Sequence, residues 1–244
     1  MAQAIWQPFH DRPHAGRVLA GKLERYRGSP GLLVLALPRG GVTVGQEVAR
    51  ALQAPLDVFV VRKLGFPGNE EYAMGAIASG GIRTMNPLAG RMVTPAEVSA
   101  VLQRQQAELA RREHVYRRRR PPLSMCGRTV IVVDDGLANG STMRGALLAI
   151  RQRHPLHLVA ATPVGAADKC ESLRDDADDV VCAATPAPFN AVGHWYRDFP
   201  QASDNQVVSC LRTAAASMRR RCALVARQSC VGKPTREAKG TRTA

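Results

Sequence analysis

The sequence predicts an α/β protein of three layers, in which helices cover both faces of a mostly parallel central sheet. Two observations predict this class. Short apolar segments typical of buried strands alternate with segments of helical periodicity that are about ten residues long. This alternation is typical of strand–helix–strand units with parallel strands. Apolar residues make up 45% of the chain but aromatic residues only 5%, so we expect a core of Val, Leu, Ile and Ala.

The individual elements can be placed from periodicity and from turn residues. Thr94-Pro95-Ala96-Glu97 combines an N-cap residue, a proline at the first helical position and a glutamate at the third, so a long helix is expected there. Residues 66–71, FPGNEE, are expected to form a polar loop. The predicted elements, in chain order, are helix 15–27, strand 32–37, helix 42–53, strand 57–65, strand 73–79, a helix from 94 to about 114–116, strand 128–135, helix 143–153, strand 157–165, helix 168–175 and strand 179–185.

The composition restricts the class of protein. The longest apolar run, 32–37, is too short to cross a membrane, and the N-terminus has no basic segment followed by an apolar one. A soluble cytoplasmic protein without membrane contact is expected. The six cysteines form no Cys-x-x-Cys pair and no cluster with histidine at metal-ligand spacing, so we expect reduced thiols and no structural zinc.

Positive charge is concentrated at the C-terminus. The chain has a formal net charge of +14, and residues 212–244 hold nine Lys or Arg and one acidic residue, Glu237. We therefore expect one domain over 1–211 and a basic extension over 212–244 that forms a short helix and then a solvated, disordered tail. Nonspecific binding of nucleic acid or another polyanion is the alternative role of this extension.

The segment VIVVDDGLANGSTM, 130–143, carries the strongest chemical signal. An apolar strand ends in two adjacent carboxylates, Asp134 and Asp135, and continues into a loop of small and polar residues before a helix. Unpaired amides and the positive dipole at a helix start favour a bound phosphate, and carboxylates accept hydrogen bonds from vicinal hydroxyls. A phosphorylated sugar fits both features. Direct Mg²⁺ binding by the pair and a purely structural turn are the alternatives. The candidate phosphate-loop residues are Gly136, Leu137, Ala138, Asn139, Gly140, Ser141 and Thr142.

Two further segments carry groups suited to anions. In LALPRGGV, the paired glycines Gly40 and Gly41 permit close approach of the backbone, and Arg39 can hold two phosphate oxygens at once. In VVRKLGFPGNEEYAMGAI, Arg62 and Lys63 are cations near a strand end. The structural alternatives are a sharp turn for the first segment and a solvated strand end for the second.

Taken together, these segments resemble the type I phosphoribosyltransferase family. The acidic pair and the following loop resemble its signature for binding PRPP (5-phosphoribosyl 1-pyrophosphate), LALPRGGV resembles its pyrophosphate loop, and residues 60–77 resemble the region of its flexible catalytic loop. The order of the segments matches the family over roughly residues 9–211. FHDRPHAG near the start and VGHWYRDFPQASDNQVV near the end resemble a bacterial branch of the family.

The resemblance implies transfer of the 5-phosphoribosyl group of PRPP to a nitrogen acceptor such as a nucleobase, with release of pyrophosphate. Mg²⁺ would arrive with PRPP and be held mainly through PRPP and water, with no direct protein ligand. An insertion over about 94–120 would form or flank a hood over the site. The implied roles are ribose hydroxyl binding for Asp134 and Asp135, 5′-phosphate binding for 136–142, and pyrophosphate binding for Arg39, Gly40, Gly41, Arg62 and Lys63.

Several assignments stay open at this level. Asn139 stands where the family usually has Thr, and serves either as an auxiliary phosphate donor or as a residue that tolerates a left-handed turn. Arg12 is expected near the active site or at a homodimer interface. Phe189 and Trp195 are expected to contact the acceptor or to pack the sheet edge. The rival functions are a non-catalytic sensor of PRPP or nucleotides, and a nucleic-acid-associated protein that uses 117–120 and the basic extension.

Overall fold

The computed structural model describes residues 8–86, 92–118 and 120–231. Its strands are β1 (Leu33–Ala36), β2 (Leu56–Val58), β3 (Val61–Phe66), β4 (Asn69–Ala78), β5 (Ile82–Met85), β6 (Thr129–Val133), β7 (His157–Val164) and β8 (Asp179–Ala184). Its helices are α1 (Arg12–Lys22), α2 (Gly41–Leu52), α3 (Pro95–Arg117), α4 (Ser141–Arg151), α5 (Ala167–Ser172) and α6 (Asp204–Val231). A five-stranded parallel sheet has the order β2-β1-β6-β7-β8, and β3, β4 and β5 form a second, antiparallel sheet. The predicted α/β class with a mostly parallel central sheet is confirmed.

Alternate residues of the central strand serve opposite faces of the sheet. On β6, Val130 and Val132 belong to a buried cluster with the apolar side of α4, whereas Ile131 and Val133 belong to a cluster with α1 and α2. Successive side chains of a strand point to opposite faces, so a strand buried on both sides needs a continuous apolar run. The apolar run before the acidic pair therefore builds two helical layers around one sheet.

A hood, which we define as β3, β4, β5 and α3, packs beside this three-layer core. The helix α3 begins at the predicted capping box, in which Thr94 Oγ1 accepts a hydrogen bond from Glu97 N at 3.3 Å and Thr94 N donates to Glu97 Oε2 at 2.8 Å. Leu109 and Tyr116 of α3 are buried in a cluster that includes Leu64 of β3 and the first turns of α6. The hood is therefore attached to the body through apolar contacts.

The region predicted as one strand over 57–65 is in fact two strands in two sheets. Between β2 and β3, Phe59 and Val60 are fully buried, and Val60 N donates to Ser79 Oγ at 2.9 Å. The apolar run continues through the change of sheet, so the sequence pattern carries no sign of the break. The polar loop predicted for FPGNEE is also shorter than expected, because β3 and β4 form a hairpin around Gly68, which has a positive φ of 78°.

The C-terminal helix is longer than predicted. The 28-residue helix α6 runs through the expected boundary at residue 211 without a break, and Leu211, Ala214 and Met218 line a cavity of about 250 Å³ beside Tyr116. Arg117, one of the arginines of the nucleic-acid hypothesis, is buried: its Nη1 donates to Asp57 Oδ2 at 2.5 Å. Arg117 therefore belongs to the fold.

Two cysteines differ from the prediction of reduced thiols. Cys170 of α5 and Cys182 of β8 form a disulfide, with Cα atoms 6.6 Å apart. The two cysteines are twelve positions apart in the sequence, and the packing of α5 beside β8 brings them together. The disulfide lies under the candidate phosphate loop, since a methyl group on Gly165 would come within 2.7 Å of Cys170 Sγ and 2.9 Å of Leu137 Cβ. Within the described residues, none of the helices has the length and apolar character needed to span a membrane.

Candidate active site

The acidic pair lies at the carboxyl end of β6, the central strand of the parallel sheet. Backbone hydrogen bonds hold this strand end between both neighbours: Leu37 N donates to Val133 O at 2.8 Å, and Asp134 N donates to Ala161 O at 3.3 Å. Asp135 N then donates to Asp134 Oδ1 at 2.9 Å. The ends of three parallel strands meet here, which is where sheets of this class bind ligands.

The turn PRGG, residues 38–41, lies directly on the acidic pair. A methyl group on Gly40 would come within 1.9 Å of Asp135 Oδ2, and one on Gly41 within 2.9 Å of Asp134 Cα. Only residues without a side chain allow the turn to approach so closely. The turn and the two carboxylates therefore form one site rather than two neighbouring ones.

Arg39 connects this turn to the junction of α3 and α6. Its positive charge acts on Tyr116 and Asp204, whose side chains share a hydrogen bond of 2.7 Å. Burial first, and then the hydrogen bond to Asp204, raise the pKa of Tyr116 to about 12. Arg39, the predicted pyrophosphate cation, is therefore close enough to the junction of α3 and α6 for its charge to act there.

Arg62 and Lys63 occupy successive positions of β3, opposite Ile77 and Ala76 of β4. Arg62 is half-buried and its Nε donates to Gln105 Oε1 of α3 at 2.9 Å. Burial, followed by the positive charge of neighbouring arginines of α3, lowers the pKa of Arg62. Successive strand residues point to opposite faces, so the side chains of Arg62 and Lys63 project from opposite faces of the hood sheet. The contacts of Arg62 are with α3 and not with the acidic pair.

The sequence left two positions open for Arg12, near the active site or at a homodimer interface. The structure places Arg12 at the acidic pair. Its Nε donates to Asp135 Oδ2 at 2.7 Å, and its guanidinium carbon lies 3.8 Å from the centre of the Phe199 ring. The N-cap residue Asp11 accepts a hydrogen bond from His14 N at 2.7 Å and fixes the start of α1. The motif FHDRPHAG was the only sequence signal for this contact.

Electrostatics distinguish the two carboxylates. Asp135 has the guanidinium of Arg12 beside it, whereas Asp134 has no cation within ion-pair distance among the described residues. Burial, and then the negative charge of Asp135, raise the pKa of Asp134 well above its usual value. Both residues keep some accessible surface. The site therefore presents one paired and one unpaired carboxyl group to a ligand.

The candidate phosphate loop leads from the acidic pair into α4. Leu137 N donates to Val164 O at 2.9 Å, which holds the first part of the loop against the end of β7. Gly140 precedes α4 with a left-handed φ of 75°. Asn139 Oδ1 accepts hydrogen bonds from Ser141 N at 3.1 Å and Ser141 Oγ at 2.9 Å. Asn139 is not among the described residues with a positive φ, and Gly140 takes the left-handed conformation instead, so this role of Asn139 is not observed. Donation by its amide nitrogen to a phosphate stays a prediction.

The aromatic residues of the segment 189–199 pack in one cluster. Phe189 and Trp195 pack against a buried cluster that contains Phe9, and the indole nitrogen of Trp195 is buried without a hydrogen-bond partner in the part of the chain that the structure describes. Tyr196 is a buried member of the same cluster, and Phe199 packs against it. The Tyr196 hydroxyl also donates to Asp135 O at 2.5 Å, and its ring stacks on Phe199 with ring centres 4.6 Å apart. Within this cluster, Tyr196 contacts Asp135 and Phe199 contacts Arg12.

Comparison with known proteins identifies the family. A family model described as a phosphoribosyl transferase domain matches residues 9–196. Two relatives from two strains of Mycobacterium tuberculosis, both named as candidate phosphoribosyl transferases, are 46% identical over 208 residues, which cover 84% of this chain and 47% of each relative. The chain thus spans about half the length of these relatives. The crystal structure of TT1426 from Thermus thermophilus is 42% identical with a TM-score of 0.76, and the match covers 84% of this chain and 98% of that chain. The chain belongs to the phosphoribosyl transferase family.

Proposed function

We propose that this chain transfers the 5-phosphoribosyl group of PRPP to a nitrogen atom of a nucleobase-like acceptor and releases pyrophosphate. The observation that carries the proposal is the contact of Gly40 and Gly41 with the acidic pair, immediately before the loop that opens α4. PRPP has a pyrophosphate, a vicinal diol and a phosphate in that order. The site has a cationic turn, two carboxylates and a helix start in the same order.

The 5′-phosphate would bind at the start of α4. The first amides of a helix lack intrahelical partners, and the positive end of the dipole adds to their attraction for an anion. In the ligand-free arrangement, Asn139 satisfies the amide and the hydroxyl of Ser141. An incoming phosphate oxygen would replace Asn139 Oδ1 as the acceptor, so the donors are already aimed at one point.

The carboxylates of Asp134 and Asp135 would hold the ribose hydroxyls and face the reacting carbon. In the transfer, the bond from C1 of the ribose to pyrophosphate breaks and its electron pair leaves with pyrophosphate. A bond forms from the acceptor nitrogen to C1, and the nitrogen then loses its proton to solvent. Positive charge develops on the ribose during this exchange, and fixed negative groups beside the ring stabilise it.

The leaving pyrophosphate would be held by Arg39 and by the backbone of the glycine turn. A guanidinium can hold two oxygens at once, and paired glycines let backbone amides approach an anion. Arg62 and Lys63 would add positive charge from β3. The Nε of Arg62 donates to Gln105, which leaves its two Nη groups as donors for a ligand.

Mg²⁺ would enter as its complex with PRPP. Among the described residues, no group of three or more His, Cys, Asp or Glu side chains is placed to hold a metal ion. Mg²⁺ commonly keeps several waters and binds substrate phosphates, so it would be held mainly through PRPP and water, while the acidic pair holds the ribose hydroxyls. The ion would neutralise negative charge on the pyrophosphate.

A scan for pyrophosphate release tests the proposed reaction. The protein is incubated with PRPP, Mg²⁺ and one nucleobase at a time, and the double variant Asp134→Asn with Asp135→Asn is the matched control. We expect release by the parent with at least one base and none by the folded double variant, which should also lose PRPP binding in calorimetry. Equal PRPP affinity in parent and double variant would contradict the assignment of the site.

The non-catalytic sensor is the second candidate function, and the contacts of Arg62 favour it. An arginine already bonded to α3 and crowded by other arginines is not yet placed to stabilise a leaving group. Such a sensor would bind PRPP in calorimetry and lose this binding in the double variant, but it would release no pyrophosphate with any base. The two functions therefore differ in the release assay alone.

A further inference from the structure

We propose that Arg12 is a positioning residue that holds the Asp135 carboxylate in the orientation that binds the ribose hydroxyls. This inference rests on the proposed function of the acidic pair. Arg12 contacts Asp135 and would not contact the substrate itself. It lies 123 positions away from Asp135 in the sequence, on the first turn of α1.

Three contacts fix the guanidinium of Arg12. Its Nε donates to Asp135 Oδ2 at 2.7 Å, its Nη1 donates to Pro200 O at 2.7 Å, and its flat face lies over the ring of Phe199. The Arg12 side chain is 10% exposed and that of Asp135 16% exposed. A planar group held from two edges and one face cannot rotate. It therefore provides a stationary positive charge beside the carboxylate.

The elements that carry Arg12 are joined to the elements that surround Asp135. Phe9 N donates to Trp195 O at 2.8 Å, and Arg197 N donates back to Phe9 O at 2.8 Å. Tyr196, between them, donates its hydroxyl to the backbone oxygen of Asp135. The segment around Phe9 and the segment that follows β8 thus pack together around the end of β6, and we call these two segments the clasp.

The other side of the Asp135 carboxylate is closed by Gly40, since a methyl group there would overlap Oδ2. Oδ2 therefore lies between the glycine turn and the guanidinium, and the carboxylate has one orientation. A carboxylate has about four lone-pair positions, so the bond to Arg12 leaves capacity for a hydroxyl donor. A group held in its binding orientation loses less conformational freedom when the ligand arrives.

A purely structural clasp is the alternative role, and a pair of ligands separates the two. The first probe is 1,4-anhydroribitol 5-phosphate, which has the ring, the phosphate and both hydroxyls. The second is tetrahydrofurfuryl phosphate, which has the same ring and phosphate without the hydroxyls. The ratio of their Kd values measures what the hydroxyls contribute. A structural role would weaken both probes equally and leave the ratio unchanged.

Calorimetry with both probes is carried out on the parent and on Arg12→Gln, Arg12→Lys and Asp135→Asn. We expect the parent to favour the hydroxyl-bearing probe, and Arg12→Gln to reduce that preference about tenfold, as for one hydrogen bond to a charged group. Arg12→Lys keeps the charge without the planar fork and should retain part of the preference. In Asp135→Asn, adding Arg12→Gln should cause no further loss, because both act through the same carboxylate.

Arg117→Gln is the matched control, because Arg117 and Asp57 form an ion pair of similar burial away from the site. This variant should lose stability but keep the preference of the parent. A preference retained in full in folded Arg12→Gln, or lost equally in Arg117→Gln, would overturn the inference while leaving the proposed function intact. A parent that binds both probes equally would overturn the ribose site itself.

Discussion

The Asn139 side chain accepts two hydrogen bonds from Ser141, one from the amide at 3.1 Å and one from the hydroxyl at 2.9 Å. Asn139 therefore occupies the position that a phosphate oxygen would take at the start of α4. Replacing this internal acceptor changes only neutral hydrogen bonds that a ligand must exchange. We therefore expect Asn139 to tune the cost of phosphate entry.

We expect Asn139→Thr to change the affinity for ribose 5-phosphate by about 1 kcal/mol or less, as for one neutral hydrogen bond. Ser141→Ala combined with Thr142→Val should cost distinctly more, because it removes two hydroxyl donors at the helix start. Calorimetry on both variants gives the order of the two effects. A hundredfold gain in Asn139→Thr would show instead that the natural loop binds phosphate poorly, and would favour the sensor over the enzyme.

Gly40→Ala tests the contact between the glycine turn and the acidic pair. Gly40 has helical backbone angles, φ −59° and ψ −41°, so an alanine is not excluded by backbone conformation. It is excluded by the 1.9 Å approach of its methyl group to Asp135 Oδ2. Displacement of the carboxylate should lower PRPP affinity by about tenfold or more, as for a lost hydrogen bond to a charged group.

Gly21→Ala is the matched control for Gly40→Ala. Gly21 lies in α1 with no atom within 4 Å of an added methyl group. Alanine should therefore leave PRPP affinity unchanged and raise stability by about 0.5–1 kcal/mol, because alanine is the better helix former. An equal loss of affinity in both variants, measured by calorimetry, would contradict the proposed contact.

The parts of the candidate site that are local motifs could be predicted from the sequence. The contacts between residues that are distant in the sequence could not. The acidic pair, the glycine turn and the phosphate loop are each contiguous segments whose chemistry can be read residue by residue, and parallel strands bring their ends together. The pairing of Arg12 with Asp135 depends on how α1 and the segment after β8 meet, which no local pattern records. The hood cations Arg62 and Lys63 were predicted from their charge and from the resemblance of residues 60–77 to the family, and neither specifies which way a strand residue points.

The same holds for the fold: its local elements were predicted, and the contacts and breaks that depend on packing were not. Continuous apolar runs predicted the five central strands, because burial on both faces requires them. The division between β2 and β3 was missed, since Phe59 and Val60 stay buried while the chain passes from one sheet to the other. The disulfide was missed because Cys170 and Cys182 become neighbours only through the packing of α5 beside β8.

The raised pKa of Asp134 predicts that the contribution of this group to the free energy of unfolding falls as the pH rises. The folded protein binds the Asp134 proton more strongly than the unfolded chain does, whose usual Asp pKa is 3.8. The stability from this group is therefore fully present below that pKa and is lost as the pH rises through the folded pKa. Asp134→Asn removes the ionisation, so the variant should be more stable than the parent at pH 7 and equal to it near pH 3.

Thermal unfolding at the two pH values checks this expectation. A gain of about 1 kcal/mol corresponds to a Tm increase of roughly 2–4 °C in a protein of this size. Asp198→Asn serves as a control at an exposed carboxylate and should leave the Tm unchanged at both pH values. A Tm of Asp134→Asn below that of the parent at pH 7 would show that the ionised carboxylate stabilises the fold.

The length of α6 changes what truncation should do. The basic extension was expected to be an appendage, yet α6 continues through residue 211, and Ala214, Ala215 and Met218 are half-buried beside Tyr116 and Leu211. A chain ending at Leu211 loses these apolar contacts. It should be about 2 kcal/mol less stable and melt several degrees lower than a chain ending at Val231.

The acidic pair is held by β6 and its neighbours and not by this part of α6, so both truncated chains should bind PRPP within about twofold of the full chain when folded. Calorimetry below the lower Tm and thermal unfolding of both chains give the two answers separately. Equal Tm values would mean that residues 212–231 add nothing to the packing around Tyr116. A loss of PRPP affinity in the shorter chain at a temperature where it is folded would mean that α6 acts on the site, and the connection from Asp204 and Tyr116 to Arg39 would be the route.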